Sequence, residues 1–158
     1  MTLSENMVIE KLKAVLGDKI LDASTPRIRR IFIKVKLEAL REAVTLLVKE
    51  LKIKHLSTIT GLDLGNEMEL IYHFALQNAV SISLKVDVSK ENPAVPSIVD
   101  LIPGAVLYEM EVHDILGIVF KGHPDLSRLI LPEEWPEGVY PLRKEYSSSD
   151  LRKMSGEG

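Results

Sequence analysis

Apolar positions change their spacing several times along this chain, and each change marks an element. Val8, Leu12, Val15 and Leu16 fall on one helical face behind a Thr2-Leu3-Ser4-Glu5 run that fits a capping box, and Gly17 is placed to end the helix. Residues 27–35 alternate, with Ile31, Ile33 and Val35 on one side, and predict a strand. Helical spacing returns over 38–51, where Leu40, Ala43, Val44, Leu47, Val48 and Leu51 form a stripe opposite the charges. Residues 54–60, 67–76 and 79–88 read as a meander with turns at Gly65-Asn66 and Gln77-Asn78. A polar, proline-bearing loop over 90–96 leads to a third helix over 105–116. No period holds from 117 to 143, and 147–158 is polar and predicted to be disordered. The predicted class is α+β: helices packed on one face of a mostly antiparallel sheet, followed by an extended C-terminal arm. The expected division is a core over 1–120, an arm over 121–146 that docks on a partner, and a tail over 147–158.

The third helix is apolar on two sides. Tyr108, Val112, Ile115 and Leu116 recur at the spacing that faces the chain's own sheet, while Val106, Leu107 and Met110 lie opposite, flanked by Glu109 and Glu111. Such a helix is normally sandwiched between two layers, so either the arm folds back over it or another subunit lies against it. Scattered exposed apolar residues are common, which is the competing reading of Val106 to Met110. The arm itself carries four prolines, Pro124, Pro132, Pro136 and Pro141, and the chain's one tryptophan, Trp135. Its backbone needs partners, and Leu129, Leu131 and Trp135 are expected to lie largely in water until a partner covers them. On that reading a protease would remove the arm of the free chain after Lys121.

Composition narrows the chemistry. At 158 residues the length fits one domain, and a net charge of −3 with no basic stripe argues against nucleic acid. The absence of cysteine leaves no thiolate to hold an iron–sulfur cluster or a cysteine-based zinc site. No stretch reaches the ~18 apolar residues of a membrane span, and no secretory leader is read at the N-terminus. The usage of Lys, Glu, Ile and Val with a single glutamine, Gln77, is similar to that of hyperthermophiles. Of the four histidines, His55 and His73 are placed to meet across strands, and Glu109 and His113 share a helix face. Neither pair has the spacing of a known metal motif. Glycine-rich phosphate loops and a nucleophile elbow are missing. Glu109 and Glu111 point apart as i, i+2 neighbours, whereas Glu111 and Asp114 can share a face. His123 sits between Gly122 and Pro124, a turn whose imidazole is expected to bond across an interface. Arg128 and Arg143 are expected to take carboxylates bidentately.

One ordered set of motifs runs through the last third of the chain. It opens with Pro96-Ser97-Ile98-Val99-Asp100, then Glu109-Met110-Glu111, Asp114-Ile115-Leu116-Gly117-Ile118 and Phe120-Lys121-Gly122-His123-Pro124. Ser127-Arg128, Leu131-Pro132-Glu133-Glu134-Trp135 and Pro141-Leu142-Arg143-Lys144 complete it. This order resembles the 30-kDa subunit family of respiratory complex I (NADH dehydrogenase) and its relatives in membrane-bound nickel–iron hydrogenases. The close match covers 96–146. Met110 and Ser127 depart from it, since better-known members carry Arg at both, and each departure removes a charge from the partner surface.

The resemblance implies an assembly subunit with no catalytic centre and no cofactor on this chain. Its partners would be a 49-kDa-like protein, akin to the hydrogenase large subunit, and the iron–sulfur small subunit. It would be peripheral on the cytoplasmic face of the cell membrane. The implied partner surface comprises Val106, Leu107, Glu109, Met110, Glu111, Asp114 and Gly117 on the helix. On the arm it comprises Gly122, His123, Pro124, Arg128, Leu131, Pro132, Trp135, Pro141, Leu142 and Arg143. Two other classes stay open on the residues alone: a small metal-dependent enzyme using Glu111, Asp114 and a histidine, and a self-dimerising module.

Overall fold

The computed structural model describes residues 4–156, without the Asn78 side chain. Helix α1 spans Glu5–Leu16, and its N-cap is Ser4, whose hydroxyl accepts the Met7 amide. The cap expected at Thr2 lies outside the described residues. Val8, Ile9, Leu12 and Leu16 are buried, whereas Val15, expected on that face, is half exposed. Gly17 takes φ +54 and its amide bonds the Lys13 carbonyl, so the helix stops where glycine permits it.

Next come strands β1 (Ile20–Arg27) and β2 (Arg30–Val35), an antiparallel hairpin. The sequence pattern revealed only the second strand and ran it through the turn. β1 is an edge strand with a single neighbour, so its residues are largely exposed and carry no alternation to read. The second helical segment is a short 3₁₀ turn (Leu37–Ala39), helix α2 (Leu40–Thr45) and a π turn (Leu46–Glu50). Strands β3 (His55–Asp63), β4 (Glu67–Ala75) and β5 (Ser81–Ser89) form the expected meander.

The five strands lie in the order β1-β2-β5-β4-β3, antiparallel except for the β2–β5 pair. One sheet face carries Ile31, Ile33, Val35, Leu70, Tyr72, Phe74, Ile82, Leu84 and Val86, all buried with the helices. The other carries partly to fully buried polar groups: Lys34 bridges Glu69 and Asp87, and His73 sits between Thr60 and Ser83. The chain is therefore α+β, with helices against one face of a mostly antiparallel sheet.

Two short strands appear where loop was expected. β6 (Ala94–Pro96) pairs in parallel with β7 (Val119–Lys121), burying Val95 and Phe120. They bracket helix α3, Ala105–Leu116, whose bounds match the sequence reading. The segment expected to be disordered contains helix α4, Ser148–Met154, opened by a capping box between Ser147 and Asp150. The polar composition of 147–158 hid that local signal.

Candidate docking site

Helix α3 lies against β3, and Gly61 makes the approach possible. A Cβ at that position would overlap the buried Leu116 side chain, which packs there with Val112. The helix begins at Gly104 without a side-chain cap. Glu109 instead reaches back to the preceding loop, accepting the Ile98 amide at 2.8 Å and the Ser97 hydroxyl at 2.6 Å. It is fully buried, and burial pushes its carboxyl above the usual range despite those two bonds. Arg41 completes the loop's frame, donating to the Ser97 carbonyl and gripping Asp100 bidentately. Glu109 is therefore withdrawn from the partner surface: its acceptors are consumed inside the chain.

Helix α3 ends at Gly117, with φ +75 and ψ 21, its amide bonded to the His113 carbonyl. The arm then folds back on the domain by four attachments, three to the helix and one to the end of β3. In the first, His123 Nε2 lies 2.9 Å from the Val106 carbonyl, and the Asp125 amide donates to Nδ1 at 3.0 Å. These contacts fix the neutral ring with its proton on Nε2, within the chain rather than across an interface. In the second, Asp114 Oδ2 accepts three successive amides, those of Leu129, Ile130 and Leu131, at 3.3, 2.8 and 2.8 Å.

The third attachment satisfies the carbonyls that any helix leaves orphaned at its C-terminus. The Leu142 amide bonds the Ile115 carbonyl and Arg143 Nε bonds the Leu116 carbonyl at 2.8 Å. Arg143 also stacks 4.7 Å above the Tyr140 ring, which lies over Gly117. In the fourth, the Lys144 amide donates to Asp63 Oδ2, and Lys90 bridges Asp63 and Glu145. Burial alone would raise the Asp63 carboxyl. The Lys144 amide, Lys90 ammonium and Gly65 amide outweigh it and hold the group at about 2.

That depression gives the last attachment a pH dependence. A carboxyl whose folded value lies below its unfolded one stabilises fully above the unfolded value of about 4 and ceases to do so as pH falls through about 2. Asp63→Asn should flatten the fall in urea midpoint across that window and speed hydrogen exchange at the Lys144 amide. Superimposable pH curves for the two proteins would contradict the attachment.

The structure redistributes the candidate residues. Asp114 and Gly117 are buried, and so is Trp135, whose indole donates to the Val139 carbonyl at 2.9 Å. Trp135 closes a small cavity of about 120 Å³ together with His113, Leu131 and Tyr140. It is part of the arm's own packing, so its loss would destabilise the free chain as well as any complex. Arg128 donates to the Pro132 and Glu133 carbonyls, and Arg143 to Leu116, so neither guanidinium is reserved for a partner carboxylate. Asp114 is committed to arm amides, which removes it from the metal-enzyme reading that paired it with Glu111 and a histidine. Among the described residues no group of three or more His, Asp or Glu side chains is arranged to hold a metal ion.

What faces outward is a subset. Leu107 and Leu142 are more than half exposed, and Gly122, Pro124 and Pro132 are exposed beside partly covered Val106, Met110, Glu111, Leu131 and Pro141. Ile130 was missed in the sequence and is 55% exposed, next to Leu129 at 44%. Three consecutive apolar residues whose amides all converge on one carboxylate cannot all turn inward. Leu131 is partly covered and its two predecessors are left outside.

Comparison with known proteins decides the family. Residues 33–151, well over half of the chain, match the family model described as respiratory-chain NADH dehydrogenase, 30 Kd subunit. The chain belongs to that family. It is 40% identical over 151 residues to the C subunit of the NADH-quinone oxidoreductase of Roseiflexus sp. (strain RS-1), covering 92% of this chain and 85% of the relative. It is 32% identical over 121 residues to the membrane-bound hydrogenase subunit beta of Pyrococcus furiosus, covering 73% and 69%. A chain in the structure of the membrane-bound sulfane sulfur reductase, an archaeal respiratory membrane complex, superposes with a TM-score of 0.77. That match covers 94% of this chain and 89% of the other, and at 23% identity it speaks to the fold alone. Relatives of this 30-kDa-type chain are thus subunits of membrane-associated respiratory complexes built from several proteins. Among the described residues no helix is long and apolar enough to cross a membrane.

Proposed function

We propose that this chain is a non-catalytic assembly subunit in the peripheral arm of a membrane-bound, ion-pumping respiratory oxidoreductase. It docks on the 49-kDa-like large subunit beside the iron–sulfur small subunit, at the cytoplasmic face of the cell membrane, and carries no cofactor. The observation that supports this most is the manner in which the arm is held. Its backbone amides are taken up by helix α3 at Asp114 and Ile115, and the Arg143 side chain caps Leu116, while Leu129, Ile130 and Leu142 stand 44–56% exposed on it. An irregular segment fixed through its main chain, with its apolar side chains turned to water, is a preformed contact surface. Leu107 of α3 adds to the same apolar exposure.

Docking is tested by making that surface polar without touching the attachments. Leu129→Asp with Ile130→Asp removes two exposed apolar side chains and should leave the melting temperature of the free chain within about 2 °C. Purified from native membranes, the variant should be lost from the fractions that hold the iron–sulfur and large subunits. Full retention in those fractions would overturn docking through the arm.

A further inference from the structure

Among the described residues, the most exposed large apolar side chain lies far from the arm. Ile28, 88% exposed, stands in the turn between β1 and β2, between exposed Arg27 and the exposed pair Arg29 and Arg30. Arg27 and Arg30 face one another at the last register position of the hairpin, where like charges repel. Arg29 holds φ +65, a conformation L-residues other than Asn, Asp and Gly seldom adopt. None of the three guanidinium groups takes part in an ion pair among the described residues, although Lys19, Lys34, Arg41 and Lys90 all do. The turn is nonetheless fixed, because the Arg29 amide donates to the Glu5 carboxylate of α1 at 2.8 Å. The exposure of Ile28 and the facing like charges are unfavourable in the free chain, and a ligand that brings carboxylates to the arginines and an apolar wall to Ile28 relieves both.

We propose that this turn is a second docking point, occupied by a carboxylate-lined, apolar-floored pocket on a neighbouring protein subunit. The inference rests on the chain being part of a complex of several proteins, but not on docking through the arm. Three features favour protein over an anionic lipid surface. Three arginines fall short of the ~4–8 basic residues that draw a segment to anionic lipid. Glu5 sits against the turn, which narrows the positive field there. A hairpin turn tied to a helix is rigid enough to enter a pocket, and an apolar anchor rimmed by arginine is the composition of an interface hot spot.

The position makes this contact separate from the arm's. Arg30 pairs with Ser81 at the first residue of β5, whereas Asp63 and Lys90, which hold the end of the arm, lie at the level of the other end of that strand. Nine residues of strand separate the two ends by roughly 30 Å.

The test is made in the intact complex. A photo-reactive benzoylphenylalanine replaces Ile28, the complex is purified and irradiated, and the adducts are mapped by mass spectrometry. The expected adduct joins this chain to a second subunit at a peptide that carries at least two carboxylates. Its yield should fall about tenfold when Arg27→Glu and Arg30→Glu are added, while the free chain carrying those two changes melts no lower than wild type. Adducts confined to lipid or to this chain overturn the proposal, as does a yield indifferent to the charge reversal. Loss of the Leu129 and Ile130 variant from the complex, alongside such a result, would leave docking through the arm standing.

Discussion

Asp114→Ala releases the arm of the free chain. One carboxylate oxygen accepts the amides of residues 129–131, and the side chain is nearly buried. Truncation leaves three main-chain donors facing an empty site, and they regain partners only by moving into water. Hydrogen bonds to a charged acceptor are worth about 1.5–3 kcal/mol each, with incomplete additivity. The expected destabilisation is therefore about 3 kcal/mol. Detachment should carry Trp135 into solvent, so its emission shifts to the red, and trypsin should gain access to Lys121 and Arg128. Asp114→Asn keeps one acceptor of similar shape and should lose about half as much. Unchanged tryptophan emission in Asp114→Ala would contradict the assignment of this residue as the arm's main clamp.

Gly117→Val strikes the same junction from the backbone. The left-handed conformation costs a residue with a Cβ about 1–2 kcal/mol, and a β-branched side chain more than most. A Cβ there would also overlap the Tyr140 ring, and overpacking typically costs about 1–3 kcal/mol. The sum is about 3 kcal/mol or more, with Tyr140 and the stacked Arg143 displaced from the end of α3. The two contributions separate in a cycle. Tyr140→Ala should rescue part of the loss in Gly117→Ala by removing the overlap, leaving the conformational strain. A Gly117→Val protein that melts like wild type would show that the helix does not end there in a left-handed residue.

The strongly periodic elements were legible in the sequence. Helix α3, the meander and the stripe of α2 follow from spacing alone, because each buries one face against a continuous core. Gly117 was legible as a stop for the same reason. What escaped depends on tertiary partners. The exposed edge strand β1 has no buried face, hence no alternation. Glu109 looked like a surface acid because nothing in its helix foretells the Ser97 hydroxyl and Ile98 amide that it meets inside. The arm's aperiodic, proline-broken pattern was correctly read as needing partners for its backbone. The helix supplies them, where the sequence suggested another subunit, and Trp135 is buried as a result. Ile130 escaped because no periodicity distinguishes inward from outward in a segment without regular structure. His123 was legible as a turn residue but not as the ligand of the Val106 carbonyl.

The arm is folded on its own domain, and the proposal is that its remaining apolar side chains meet another subunit. Carbene footprinting of the unmodified chain, free and in the purified complex, measures both halves of that claim at once. Trp135 should be protected in both states, while Leu129, Ile130 and Leu142 should label strongly in the free chain and weakly in the complex. Heavy labelling of Trp135 in the free chain, or equal labelling of the three aliphatic residues in both states, would contradict it.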